Sequence, residues 1–66
     1  MTVRAIDTYE TALRYCREQQ GITDGRVTMS YASETEGWHL VFVAGTLNGV
    51  YAERVYAVNR NTGEVR

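Results

Sequence analysis

The chain has 66 residues, of which 44% are hydrophobic and 23% charged, and its net charge is −1. These values predict a single soluble globular domain over residues 1–66, with no apolar run of about 18 residues to span a bilayer. The near-neutral charge argues against a general nucleic-acid binder, which would carry a basic patch. The N-terminal segment MTVRAIDTYE lacks the features of a signal peptide, so we expect a cytoplasmic protein, or a mature secreted form that has lost its signal.

The first predicted element is a helix near residues 7–20, in the segment AIDTYETALRYCREQQG. Asp7 and Glu10 have the spacing of a capping box, and Gly21 stands where a C-terminal cap is expected. Thr2 is an alternative cap that would lengthen the helix toward the N-terminus. Side chains recur between the caps at helical steps of three and four: Tyr9, Ala12, Leu13, Cys16 and Gln20.

Strands and turns make up the rest of the chain. A loop at residues 21–25 (GITDG) leads into a half-buried strand, RVTMSYAS, with Val27, Met29 and Tyr31 on one face. The elements that follow are a polar turn (SETEG), a strand from Trp38 to about Leu47, a strand from Val50 to about Asn59, a turn (RNTG) and a candidate short edge strand (EVR). This order predicts an α+β fold in which one N-terminal helix packs on a three- to four-stranded antiparallel meander sheet.

Asn48-Gly49 is a strong signal for a two-residue hairpin loop, because both residues tolerate the positive φ of a type I′ turn. Leu47 then pairs with Val50, and the register assigns each side chain to a face. One face gathers His39, Val41, Val43, Leu47, Val50, Ala52, Arg54, Tyr56 and Val58. The opposite face gathers Trp38, Leu40, Phe42, Ala44, Tyr51, Glu53, Val55, Ala57 and Asn59. Neither is a normal solvent face, since a sheet covered on one side should be polar on the other.

The β-branched face suits packing on the helix, which would leave the aromatic face open. Large exposed apolar patches usually mark interaction sites, and Trp and Tyr are typical interface anchors. A bulge, a longer loop or a strongly curled sheet would instead turn part of this face inward. The predicted partner-binding residues are Trp38, Leu40, Phe42, Tyr51, Glu53, Arg54 and Val55.

The C-terminal segment YAERVYAVNRNTGEVR resembles the end of the PepSY family of small domains. The matching residues are Tyr56, Val58, Asn59, Thr62, Gly63, Glu64 and Val65, and an Ala-containing helix (Ala5, Ala12) before a Trp-headed strand also fits. PepSY domains are associated with peptidase propeptides and with secreted or membrane proteins, so the resemblance implies an inhibitory or regulatory binding role. We expect this chain to be free-standing, without signal or anchor, which departs from that setting. A similar helix-plus-sheet plan recurs in cystatin-like proteins and in phage-encoded inhibitors of host defence, including anti-CRISPR proteins.

Few residues are candidates for chemistry. His39 has no nucleophile in a recognisable setting, although a base needs a reacting group within reach. Cys16 lies on the apolar helix stripe, where a free cysteine behaves as a small hydrophobe. Asp24, Glu34 and Glu36 lack the spacing of a calcium loop, and nitrogen or sulfur ligands are too few for a zinc cage. We therefore expect no catalytic residue, no metal and no cofactor.

The favoured function is a small non-enzymatic protein-binding module that inhibits or regulates a partner by occupying its surface. The partner is another protein or a second copy in a homodimer, because a domain this small usually needs external support. One alternative is a phage- or mobile-element-encoded inhibitor of host defence. Another is a small ligand-binding cup between helix and sheet, which a pocket of a few hundred Å³ would favour.

Overall fold

A computed structural model describes residues 6–32 and 36–66 of the chain. Its elements are the helix α1 (Thr8–Gln20) and the strands β1 (Thr23–Ala32), β2 (Trp38–Leu47) and β3 (Val50–Asn59). The strands form one antiparallel sheet in the order β1-β2-β3. The predicted α+β fold is confirmed. Thr2, Ala5, Glu34 and the start of the SETEG turn lie outside the described residues.

Both ends of α1 are capped by the residues that the sequence indicated. The Asp7 carboxylate accepts hydrogen bonds from the backbone N–H groups of Tyr9 and Glu10, each at 3.1 Å. Gly21 ends the helix with φ 70°, a left-handed conformation that favours glycine, and its N–H donates to the Arg17 carbonyl at 3.1 Å. These bonds satisfy backbone groups that a helix end otherwise leaves without partners.

The helix covers the β-branched face of the sheet, as predicted. Ala12 and Cys16 are the fully buried apolar side chains of α1. They pack into one cluster with the residue that links α1 to β1 and with residues of β2 and β3. The strand and loop members of that cluster are Ile22, Val41, Val43, Tyr56 and Val58. A single helix on a single sheet face therefore holds the core.

The first strand differs from its prediction in two ways. It begins at Thr23, inside the segment expected to be a loop, and it carries two irregularities, each of which gives β1 one residue more than β2. Val27 pairs with Val43, but Met29 already pairs with Phe42. An extra residue in a strand reverses the face of everything after it. The prediction that Val27, Met29 and Tyr31 share one face is therefore wrong.

The hairpin between β2 and β3 follows its prediction. Asn48 and Gly49 have φ values of 51° and 79°, as a type I′ turn requires, and Leu47 pairs with Val50. The register then continues without interruption to the pair of Trp38 with Asn59. Every residue of these two strands therefore lies on the face to which the sequence assigned it.

The C-terminal residues return along the outer side of β3. The Asn59 carboxamide oxygen accepts from the backbone N–H of Asn61 at 2.8 Å, which closes the predicted turn. Arg66 and Ala57 then exchange two backbone hydrogen bonds, at 3.1 and 2.9 Å, and Val65 lies opposite Val58. The predicted edge strand is thus a single bridge. No helix in the described part of the chain has the length and apolarity needed to cross a membrane.

Candidate functional site

The face of the sheet away from the helix exposes a group of large apolar side chains, which we call the open face. Its members are Tyr51 (60% exposed), Tyr31 (55%), Val55 (51%), Met29 (44%) and Leu40 (44%), with the half-buried Phe42 among them. All three strands contribute, so the patch extends across the width of the sheet. Such a contiguous apolar surface is typical of interaction sites.

Phe42 occupies the centre of the open face. It pairs with Met29 on one side and with Val55 on the other. Its ring packs edge-to-face against Tyr31, with the centroids 6.1 Å apart. Tyr31 in turn donates a hydrogen bond from its hydroxyl to the Met29 sulfur at 3.4 Å. These contacts hold the aromatic groups in place before any partner arrives.

Met29 and Tyr31 are members of the open face that the sequence had grouped with Val27. The irregularity between Val27 and Met29 turns both of them away from the helix. No residue in the segment RVTMSYAS predicts that irregularity. The Asp24-Gly25 pair does indicate the earlier irregularity, because a glycine inside a strand often marks a bulge. In the structure Asp24 has a φ of 53° at this point.

Trp38 is less open than its prediction as an anchor implies. The guanidinium of Arg66 lies over its ring at 4.4 Å from the centroid, and the side chain is half-buried. A cation over an aromatic face is an attractive contact of about 0.5–1 kcal/mol at exposed sites. The chain's own C-terminal arginine therefore covers this end of the sheet.

Polar groups border the open face along β3. The Tyr51 hydroxyl donates to the Glu53 carboxylate at 2.9 Å. That hydrogen bond, followed by desolvation and the negative charge of Glu53, raises the pKa of Tyr51 above its usual value. Arg54 belongs to the helix-facing set by register, yet its Nη1 atom donates to the backbone carbonyl of Glu53 at 2.8 Å. Its side chain therefore reaches around the outer edge of β3.

A shallow depression of about 220 Å³ lies between these groups. It is lined by Phe42, Glu53, Arg54 and Val55, all of which were predicted to bind a partner. Ligand pockets for small molecules are usually larger, at about 300–1,000 Å³. The depression also lies on the sheet and at its edge, whereas the ligand-cup alternative placed its cavity between helix and sheet.

The candidate reactive side chains lie on the other side of the sheet. Cys16 is 1% exposed in the core, as predicted, and Tyr56 contacts it there. Burial, followed by the neighbouring Cys16 thiol, raises the pKa of Tyr56 well above its usual range. His39 is half-buried on the helix face, and within the described residues its Nε2 atom has no hydrogen-bond partner. In residues 6–32 and 36–66, no three His, Cys, Asp or Glu side chains gather as a metal site.

Comparisons of the chain with protein-family models, with curated proteins and with solved structures gave no match. The PepSY resemblance of the C-terminal segment stays a prediction. Function must therefore be inferred from the open face and its border.

Proposed function

We propose that this protein is a small non-enzymatic binding module that inhibits or regulates a partner protein by occupying the partner's surface. The observation that carries the proposal is the open face, on which five large apolar side chains are each at least 44% exposed. An antiparallel sheet with one covered face normally presents polar residues on the other. Burying this face against a partner would remove apolar surface from water, which is the main driving force of most protein association.

The composition of the open face supports a protein as the partner. Tyr31, Phe42 and Tyr51 are aromatic, and aromatic residues are enriched in protein interfaces and dominate their energetics. Glu53 and Arg54 supply the polar rim that such interfaces have. Inhibition by occupancy needs no catalytic group, only a surface that competes with the partner's normal ligand. We place the protein in the cytoplasm, where a lone buried thiol such as Cys16 stays reduced.

A phage- or mobile-element-encoded inhibitor of host defence is a narrower form of the same proposal. It uses the same open face and differs only in what the partner is. Identification of the bound protein separates the two: a component of a defence system supports the narrower form, and a host regulator or peptidase supports the broader one.

The proposal is tested by affinity capture from the source cell, followed by measurement of the captured protein's affinity for two matched variants. Leu40→Ser places a polar group on the open face beside Phe42, in the middle strand. Val50→Ser makes a similar change at an exposed valine on the other side of the sheet, at the hairpin. We expect Leu40→Ser to weaken binding about tenfold or more, equivalent to about 1.4 kcal/mol, and Val50→Ser to leave it unchanged. Equal affinities for both variants and the unmodified protein would exclude the open face.

A further inference from the structure

Among residues 6–32 and 36–66, none pairs with the outer edge of β3 over about half of its length. Ala57 and Asn59 direct their backbone groups away from β2, because they bond to Arg66 and Glu64 of the C-terminal segment. Backbone groups of an antiparallel strand alternate between its two sides. Tyr51, Glu53 and Val55 therefore direct their N–H and C=O groups outward as well, and within the described part of the chain they have no strand partner there.

The opposite edge of the sheet is a poor place for another strand. β1 carries both irregularities, near Asp24 and near Thr28, and bulges disrupt the regular spacing that strand pairing needs. β3 keeps an uninterrupted register with β2 from Val50 to Asn59. The chain already uses this edge for its own C-terminal residues, so an added strand at residues 51–55 would continue an existing ladder.

The shallow depression lies beside the same stretch of β3. Phe42 and Val55 contribute apolar side chains to it, while Glu53 and Arg54 contribute opposite charges. Strand addition to an exposed edge gains affinity from main-chain hydrogen bonds and specificity from pockets for alternate side chains. Both features occur together here. The Arg54 guanidinium donates to the outward Glu53 carbonyl at 2.8 Å, and the backbone N–H of an added strand would replace it as the donor.

We propose that an extended segment of the partner protein adds to β3 as a fourth strand, antiparallel to residues 51–55. This inference deepens the proposed function and rests on it. The charges on β3 specify the chemistry of the segment: a basic residue opposite Glu53, and an acidic residue next to it that faces Arg54. Apolar residues two positions to either side of the basic one would lie against Tyr51 and Val55. Opposite charges and apolar pairs across strands each contribute about 0.2–1 kcal/mol.

A second copy of the chain is a poorer occupant of this edge. Two-fold pairing centred on the free stretch places Glu53 opposite Glu53 of the other copy, and like charges directly opposite each other are destabilising. A basic partner segment meets no such repulsion. The edge thus discriminates between a complementary strand and itself.

The first test uses a synthetic nine-residue peptide with a central lysine, valine two positions to either side and glutamate immediately before the lysine. Titration is followed by the NMR amide signals of Tyr51, Glu53 and Val55. We expect these signals to shift in a saturable manner. Glu53→Lys should weaken binding of this peptide by about threefold or more, and a peptide with glutamate in place of the central lysine should then regain it. An absence of shifts at the highest soluble peptide concentration, or affinities insensitive to this exchange of charges, would overturn the proposal.

The second test removes the outward N–H without disturbing the ladder to β2. Proline is tolerated in an edge strand where its missing N–H would face solvent, so Val55→Pro is expected to fold. Val55→Ala is the matched control, since it shortens the side chain and keeps the donor. We expect Val55→Pro to lose peptide binding and Val55→Ala to weaken it only through the lost side-chain contact, by about fivefold at most, with folding of both verified by NMR. Peptide binding by folded Val55→Pro equal to that of Val55→Ala would contradict strand addition.

The two proposals fail in different ways. If the captured partner is lost on Leu40→Ser but binds Glu53→Lys and Val55→Pro normally, the open face binds the partner and no strand is added. If sedimentation shows that the protein fills the edge by self-association, and Val55→Pro abolishes that association, the occupant is a second copy and the heterologous segment is excluded.

Discussion

Tyr56 joins the helix to the outer strand of the sheet. Its hydroxyl donates to the side-chain oxygen of Gln20, the last residue of α1, at 2.6 Å. Its ring packs edge-to-face on Tyr15, with the centroids 5.3 Å apart. Because Tyr56 is also a member of the core cluster, a single side chain combines apolar burial, aromatic packing and a polar contact between layers.

Tyr56→Phe should therefore lower stability in a pH-dependent way. Loss of the hydrogen bond to Gln20 should lower the free energy of unfolding by about 1 kcal/mol near neutral pH. The raised pKa of Tyr56 means that the folded state keeps a proton which the unfolded state releases above about pH 10. The unmodified protein should thus lose stability as pH rises above 10, and the variant should lose less. Urea unfolding at pH 7 and pH 11 measures both effects.

The control for this change is Tyr31→Phe, which removes the hydroxyl of an exposed tyrosine on the open face. We expect its free energy of unfolding to stay close to that of the unmodified protein at pH 7. An alkaline loss of stability that is the same in Tyr56→Phe and in the unmodified protein would show that other groups cause it.

Cys16 offers a second prediction for a single residue. It is buried between α1 and the sheet, so Cys16→Ala should leave a small cavity and lower the free energy of unfolding by about 1–2 kcal/mol. Partner binding should persist, because the open face lies on the far side of the sheet. Chemical denaturation and a binding assay on the same sample separate the two effects. A folded Cys16→Ala protein that no longer binds would mean that the thiol has a role beyond packing.

At the scale of elements, Gly45 allows β1 and β2 to approach closely. A Cβ atom at this position would lie 2.5 Å from the Ile22 Cγ2 atom and 2.7 Å from the Thr23 backbone oxygen. The Thr23 oxygen belongs to the main chain where β1 begins, so it cannot move without shifting the strand. Gly45 therefore accommodates the first irregularity of β1 and the burial of Ile22 beside it.

Gly45→Ala should be strongly destabilising for that reason. Overpacking of a well-packed interior typically costs about 1–3 kcal/mol, and we expect the upper part of that range because backbone atoms must yield. Gly25→Ala is the matched control, since its Cβ would meet only Leu13 and Val43 side-chain atoms at 3.4 and 3.5 Å, an ordinary contact distance. Thermal unfolding of the two variants should differ clearly. Similar midpoints would indicate that β1 shifts readily away from β2.

The accuracy of the sequence-based prediction differed between the strands for a physical reason. Asn48-Gly49 selects one turn type, and a two-residue loop leaves only one register for the strands it joins. Every face assignment in β2 and β3 followed from that pair. β1 has no such fixed point, because the link to β2 is longer and the strand gains an extra residue twice. Alternation alone does not reveal an inserted residue, so Met29 and Tyr31 were wrongly grouped on one face with Val27.

The same reasoning limits what could be predicted of the candidate site. Leu40, Phe42, Tyr51 and Val55 were identified from the hairpin register. The contact of Arg66 with Trp38 was not, since it joins residues distant in sequence through the C-terminal bridge. Nor does alternation reveal that Arg54 reaches around the strand edge, because a long side chain can contact groups on the side opposite to its Cβ atom.

At the scale of the whole molecule, the open face alone makes a small interface. Three ten-residue strands, at about 3.3 Å per residue and about 4.8 Å between strands, project an area of about 500 Å². A standard interface buries about 800 Å² on each partner. The covered end at Trp38 reduces the available area further. Added surface at the β3 edge would compensate, which is consistent with a binding mode that uses face and edge together.

Two neighbouring residues of β2 can test the assignment of one sheet face to the helix and of the other to a partner. Phe42 and Val43 are adjacent, yet Val43 is 2% exposed beneath the helix while Phe42 lies on the open face. A chain of 66 residues has a stability of roughly 3–10 kcal/mol at roughly 0.05–0.15 kcal/mol per residue. Val43→Ala removes buried methyl groups at about 2–3 kcal/mol, which is a large part of that stability.

We therefore expect Val43→Ala to be severely destabilised, with the fraction that remains folded binding the partner normally. Phe42→Ala should stay folded and lose about 2 kcal/mol of binding free energy, or roughly thirtyfold in affinity, as truncation of an aromatic anchor typically does. Circular dichroism with urea gives the stability of each variant, and calorimetry at a temperature where both are folded gives the affinity. The reverse result, with Phe42→Ala unfolded and Val43→Ala folded but unable to bind, would mean that the helix covers the other face. Because the two positions are consecutive, the comparison tests which face of β2 each side chain occupies.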